Sequence, residues 1–168
     1  QTSLELQQVL LFDMLKRALV VVKTSRTAAP PGVGYFVREA SRGFSRALQD
    51  VFIERGVTLP QFLYLRVLWE GDGVSQTYLS RRIGADRATV SFVLNTMEKQ
   101  RMIVRKPDPG DQRKTNVFLT PLGRRLRTPL LDLANSVNTA ATRGLNEAQI
   151  DAVTGALKQI ISNLQQTD

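Results

Sequence analysis

Apolar residues recur at three- and four-residue intervals along most of this chain, the period of a helix with one buried face. Phe36, Ala40, Phe44, Ala47, Leu48, Val51 and Phe52 predict a helix over 35–55, which Gly56 stops. Thr58-Leu59-Pro60-Gln61 has the form of a capping box with proline in the first turn, and it opens a helix carrying Phe62, Leu65, Leu68 and Trp69 up to Gly71. Ser75 opens a short helix with Leu79 and Ile83 inward and Gly84 at its end. Asp86 caps the next, whose apolar face is Val90, Val93, Leu94 and Met97. The period then changes. Two short β-prone pieces, 102–104 and 117–119, flank a Pro/Gly-broken run from Arg105 to Lys114, which predicts a β-hairpin with a long basic tip. Thr120-Pro121 restarts a helix with Leu122, Leu126, Leu130, Leu133, Val137 and Ala140 as its stripe, stopped at Arg143-Gly144. A last helix opens at Asn146 and carries Ile150, Val153, Leu157, Ile160, Ile161 and Leu164.

Two helices joined by the tight turn at Gly84-Ala85 form a helix-turn-helix, and a hairpin directly after the second helix is the connectivity of a winged helix. Further upstream, Leu4, Leu6, Val9, Leu10, Leu11, Met14, Leu15, Ala18, Leu19 and Val22 predict a helical arm, and the paired prolines Pro30-Pro31 break the chain after it. The expected organisation is an arm over 1–23, a linker over 24–34 and core and dimerisation helices over 35–72. A DNA-binding winged helix-turn-helix over 73–122 and dimerisation helices over 123–168 complete it. The expected fold class is mainly α with a small β-wing, the winged helix-turn-helix being embedded in a helical dimerisation domain. The long terminal helices offer more apolar surface than the small winged-helix core can cover. A homodimer is expected to cover it.

Charge adds a function to this outline. Of 23 Lys and Arg, twelve lie between Ser75 and Arg127 against four acids, so the whole net charge of +8 falls in that segment and the remainder is neutral. A cationic excess confined to the helix-turn-helix and hairpin is the footprint of a polyanion-binding surface, because release of counterions from phosphates drives such binding. Arg87, Thr89 and Ser91, in the first turns of the second helix, are placed to reach base edges in a major groove. Ser75, Gln76 and Thr77 are placed to hold phosphate at a helix N-terminus. Arg105, Arg113 and Lys114 bring charge to the hairpin, and Asp111 stands two residues before Arg113, where it can orient that guanidinium toward a minor groove.

The chain contains no cysteine and no histidine, which removes disulfides, the usual zinc sites and nearly every nucleophile–base pair. No enzyme activity, metal or cofactor is expected. No apolar run approaches the length of a membrane span, and a cytoplasmic location is expected.

The run Asp111-Gln112-Arg113-Lys114-Thr115-Asn116-Val117-Phe118-Leu119-Thr120-Pro121-Leu122-Gly123 resembles the wing signature of the MarR family of bacterial transcription regulators. Thr89-Val90-Ser91, Met97-Glu98-Lys99 and Ile103-Val104-Arg105 are similar to that family's recognition helix and its exit into the wing, and the resemblance covers the chain from about residue 35 onward. It implies a homodimer joined through its terminal helices, bound to a pseudo-palindromic double-stranded DNA operator. It also implies a repressor released by a small aromatic or anionic effector. Phe92 stands where the family often has arginine, Asn95 and Thr96 replace a common Asp and Arg, and Arg101 stands where a helix-ending glycine is common. For the effector, Arg38 and Arg42 offer guanidinium on one helix stripe, and Tyr64 and Trp69 are candidate pocket linings. Two other readings of the same chain are an architectural DNA binder without an effector and a winged helix used as a protein-interaction module.

Overall fold

The computed structural model describes residues 30–111 and 115–165, so the expected arm over 1–23 lies outside the described residues. The chain divides into two compact units, 1–40 and 41–168. In the first, helix α1 (Val33–Ile53) begins two residues before the expected Tyr35 and presents Val33, Tyr35 and Phe36 to solvent. The Tyr35 and Phe36 rings meet edge-on at 5.4 Å.

The second unit contains the rest of α1, then α2 (Leu59–Glu70), β1 (Val74–Ser75), α3 (Gln76–Ile83) and α4 (Arg87–Lys99). Strands β2 (Ile103–Pro107) and β3 (Thr115–Leu119) follow, and α5 (Pro121–Arg125), α6 (Arg127–Ala141) and α7 (Glu147–Gln165) complete it. The capping box at Thr58 forms with both of its bonds: Gln61 N–H donates to Thr58 Oγ1, and Thr58 N–H donates to Gln61 Oε1 at 2.9 Å. Ser75 and Asp86 cap α3 and α4, and Gly84, at φ 73°, takes the left-handed conformation that ends α3. The alternation of burial along α4 is the predicted one. Val90, Val93, Leu94 and Met97 are buried and join Leu65, Leu68, Leu79, Ile103, Val117 and Leu130 in one core. Each such side chain contributes about 1.5–3 kcal/mol through removal from water.

The sheet differs from the expected hairpin in two ways. It has three antiparallel strands in the order β1-β3-β2, because the two residues before α3 pair with β3, Val74 opposite Val117 and Ser75 opposite Asn116. The hairpin strands also run further, with Ile103 opposite Leu119 and Pro107 still opposite Thr115. Arg105 and Lys106, expected in the tip, therefore belong to a strand, and the loop is shorter. A strand of two residues carries no alternation to read, which is why β1 escapes the pattern.

The helix expected over 120–143 is interrupted at Leu126. Pro129 is the physical cause: its ring crowds the carbonyl of Arg125 and it has no N–H to donate to it. The short α5 is held close to the sheet at Gly123, where a Cβ would collide with the Met102 carbonyl oxygen and press on Leu119 at 3.0 Å. The remainder of α6 buries Leu130 and Val137, whereas every side chain of α7 is exposed or half-buried.

Candidate nucleic-acid interface

The turn between α3 and α4 is fixed by its own polar groups. Ser80 Oγ donates to the Ala85 carbonyl at 2.6 Å, and Asp86 accepts the Thr89 N–H at 2.9 Å and the Thr89 hydroxyl at 2.6 Å. These bonds hold the Asp86 carboxyl below the usual carboxylate range, since each favours its charged form. With its inner face in the core, α4 leaves Arg87, Ala88, Thr89, Phe92, Asn95 and Lys99 exposed along its outer side, and Ser91 half-buried. An α-helix projecting this row from the body is shaped to enter a major groove.

The segment that contains α4 is cationic. Of the twelve Lys and Arg between Ser75 and Arg127, nine are exposed and Arg105 is half-buried, while Arg113 and Lys114 lie outside the described residues. Lys106 stands 5.5 Å from the centre of the Phe118 ring on the wing. At the wing's turn, Asp108 Oδ1 accepts the N–H groups of Gly110 and Asp111 at 2.9 and 3.0 Å, and its Oδ2 accepts Asn116 Nδ2 at 2.7 Å. The hairpin thus has an internal template from Asp108 to Asp111 and Asn116.

This arrangement has close counterparts. Residues 55–114 match the profile of the MarR family. Over 113 residues the chain is 31% identical to the HTH-type transcriptional regulator TtmR of Methylorubrum extorquens, an alignment that takes in 67% of this chain and 58% of TtmR. The chain belongs to the MarR family. It spans less than two thirds of TtmR's length. Among solved MarR-type structures, one from Listeria monocytogenes complexed with a 26mer DNA is 25% identical, with a TM-score of 0.74 over 82% of this chain and 92% of that one. Bordetella bronchiseptica BpsR, whose DNA binding is regulated by 6-hydroxynicotinic acid, is 27% identical, with a TM-score of 0.70 over 76% of this chain and 97% of its own. The family and these relatives are transcriptional regulators and not enzymes. No helix among the described residues is long and apolar enough to cross a membrane.

Within this MarR fold the expected site residues take different roles. Arg87 and Thr89 lie exposed in the first turn of α4. Gln76 and Thr77 stand in the first turn of α3, where N–H groups lack helical partners. Ser75 has a structural task, its Oγ accepting the Tyr78 N–H at 3.2 Å. Arg105, expected among the DNA contacts, is half-buried and bonded within the chain. Its Nε and a terminal nitrogen donate to Glu98 Oε2 at 3.0 and 2.6 Å, the same nitrogen donates to Asn95 Oδ1 at 2.7 Å, and its backbone N–H donates to Glu98 Oε1 at 3.1 Å. Arg105 is a strut between wing and recognition helix. Its hydrogen bonds hold the Glu98 carboxyl below the ordinary glutamate value, against a smaller opposing effect of burial.

The aromatic candidates for an effector pocket, Tyr64 and Trp69, both take part in the packing of the fold. Tyr64 is 2% exposed within the core, where its hydroxyl finds no partner among the described residues and burial, then the charge of Asp86, raises its pKa. Trp69 donates its indole N–H to the Gly123 carbonyl at 2.9 Å and packs edge-on against Phe62. Both side chains hold the fold together, as aromatic residues at helical spacing commonly do. Arg38 is exposed, 3.6 Å from Glu39 and 5.7 Å from the Tyr35 ring centre, and Arg42 is exposed further along α1.

Sequence reasoning missed Asp72. Its Oδ2 accepts the Leu119 N–H at 2.9 Å and an Arg124 terminal nitrogen at 2.7 Å, tying the loop before β1 to the end of β3 and to α5. The partners are 47 and 52 residues away, and no local pattern encodes such a pairing.

Proposed function

We propose that the chain acts as a dimeric DNA-binding transcriptional regulator, a repressor that occludes its operator. The observation that carries the reading is the outward row of α4, Arg87, Thr89 and Asn95, standing in the segment that holds the whole net charge of +8. Arg87, Thr89 and Ser91 reach base edges in the major groove. The first turn of α3, entered through Ser75, Gln76 and Thr77, holds a phosphate. Arg113, Lys114 and Asp111 form the tip of the wing, with the Arg113 guanidinium in the adjacent minor groove. A dimer sets two recognition helices about 34 Å apart, one turn of the duplex, which makes the operator pseudo-palindromic.

Two similar proteins support this reading, the Listeria regulator complexed with DNA and BpsR, whose DNA binding responds to an aromatic acid. By the same likeness, a small aromatic acid releases this chain from its operator. Selection of bound duplexes from a random pool, with and without a panel of aromatic acids, tests both parts. A single enriched palindrome, lost on adding one acid, is the expected result. Equal affinity for all sequences with no response to any acid marks an architectural protein instead. Arg113→Ala should weaken operator binding about tenfold, within the range of a good DNA contact, as measured by fluorescence anisotropy on the selected duplex.

A further inference from the structure

The outward row of α4 contains two residues that basic charge does not account for. Phe92 is 73% exposed, the highest value among the large hydrophobic side chains of the described residues that face solvent. Asn95 is exposed three residues further on, and at that spacing two side chains lie side by side on a helix. Ala88 and Lys99 continue the same stripe, so Phe92 and Asn95 stand at its centre.

The orientation of Asn95 is fixed by chemistry. Arg105 approaches it at 2.7 Å, and a guanidinium has only donors, so the amide oxygen of Asn95 must be the atom facing it. Arg105 is in turn held by Glu98 at 2.6 and 3.0 Å and cannot turn away without abandoning that ion pair. The Asn95 NH2 group is therefore the part of this exposed side chain left for a partner outside the chain. Asparagine reads adenine with its oxygen and nitrogen together. Here Arg105 takes up one of the oxygen's two lone pairs, which weights what the amide still offers toward its two NH2 donors, and the base partner it favours is an acceptor. Adenine N7, guanine N7 and O6, and thymine O4 are the acceptors of the major groove, and thymine alone sets a methyl group beside its acceptor.

We infer that α4 selects thymine, the Phe92 ring packing on the C5-methyl and Asn95 Nδ2 donating to O4, with Arg105 and Glu98 as positioning residues for that amide. The inference rests on the regulator reading above. It names the base that the reading leaves open.

The test uses the full chain and the operator selected from the random pool. Each thymine is replaced in turn by deoxyuridine, which removes only the methyl. At one or two positions in each half-site the wild-type chain should bind about fourfold more weakly, the ratio that ~0.8 kcal/mol for one buried methyl-sized group corresponds to. Phe92→Ala should bind the thymine and uracil duplexes equally, while Phe92→Leu, which keeps an apolar contact, should retain most of the ratio. At the same position 5-methylcytosine keeps the methyl but replaces O4 by a donor. Wild type should reject it, and Asn95→Ala should lose most of that rejection. Because each variant is scored by a ratio between two duplexes, a general loss of affinity does not alter the reading. Selected duplexes that bind equally well with uracil at every position overturn the inference alone, as does an unchanged ratio in Phe92→Ala. A chain that retains no duplex from the pool overturns the regulator reading and this inference with it.

Discussion

Arg101 occupies a conformation that its side chain disfavours. The recognition helix ends at Lys99, and the N–H of Met102 returns to the Met97 carbonyl at 2.9 Å while that of Arg101 returns to Glu98 at 2.9 Å, the bonding of a Schellman motif with Arg101 in the left-handed position at φ 57°. The same motif closes α1, where Gly56 fills the position at φ 68°. An L-residue with a Cβ loses about 1–2 kcal/mol there, of which glycine's extra freedom in the unfolded chain returns part. Arg101→Gly should therefore stabilise the protein by about 0.5–1 kcal/mol, a rise of roughly 2–4 °C or less in melting temperature, followed by calorimetry at fixed protein concentration. Gly123 is the opposite case. A methyl there meets the Met102 carbonyl, backbone that has no room to withdraw because Thr120 N–H and Oγ1 both bond to it, each at 3.1 Å. Gly123→Ala should cost about 1–3 kcal/mol by overpacking, read as a lowered urea midpoint with unchanged slope. An unchanged midpoint would show that α5 can move off the sheet.

Among the elements, the recognition helix and the wing are coupled through Glu98 and Arg105, seven residues apart across the turn that Arg101 makes. The Glu98 carboxyl is lowered in the folded chain by the Arg105 hydrogen bonds. A depressed folded-state pKa means that the ionised carboxylate stabilises the fold, fully so above the unfolded glutamate value of about 4.3. The contribution disappears as pH falls through the lower folded-state value. The Glu98 side chain is 36% exposed, so solvent screening limits the pair to roughly 1 kcal/mol. Glu98→Gln should accordingly be less stable than wild type at pH 7, and the gap should narrow below about pH 4 in denaturant titrations. A gap that stays constant down to pH 3 would assign the effect to packing. This coupling also marks the limit of what the sequence discloses. Helix periods, caps and the cationic segment are local patterns, so α2, α3, α4 and the wing's existence were legible from them. The partners of Glu98, Asp72 and Trp69 are set by how elements meet in space, and no spacing along the chain encodes them. That is why the sequence offers Arg105 as a DNA contact without its ties to Glu98 and Asn95, and Trp69 as a candidate pocket lining without the bond from its N–H to α5. The leucine stripe that runs across Pro129 predicts an unbroken helix, and the missing N–H at Pro129 overrides it.

For the whole molecule, the unexplained surface is on α7. Val153, Leu157, Ile161 and Leu164 are 53%, 39%, 55% and 69% exposed and fall on one stripe, and none of the helix's residues is buried. A helix of 19 residues with such a stripe and no buried side chain gains its stability from a neighbouring surface. In the proposed dimer that surface is the partner's copy, and linking two winged helices raises affinity for a two-half-site operator by about 10²–10⁴ over a single one. Placing a charge in the stripe separates assembly from recognition. Ile161→Glu combined with Leu157→Glu should yield a monomer by light scattering. The variant should bind the full palindrome at least about a hundredfold more weakly, while its affinity for an isolated half-site stays near that of the wild type. Its salt dependence should change in parallel. The slope of log K against log salt counts the phosphates neutralised, so a chain holding one half-site should show about half the slope of the dimer on the full operator. A variant that remains dimeric, or one that loses half-site and full-site binding alike, would show that α7 supports the DNA-binding fold itself and that the two copies meet elsewhere.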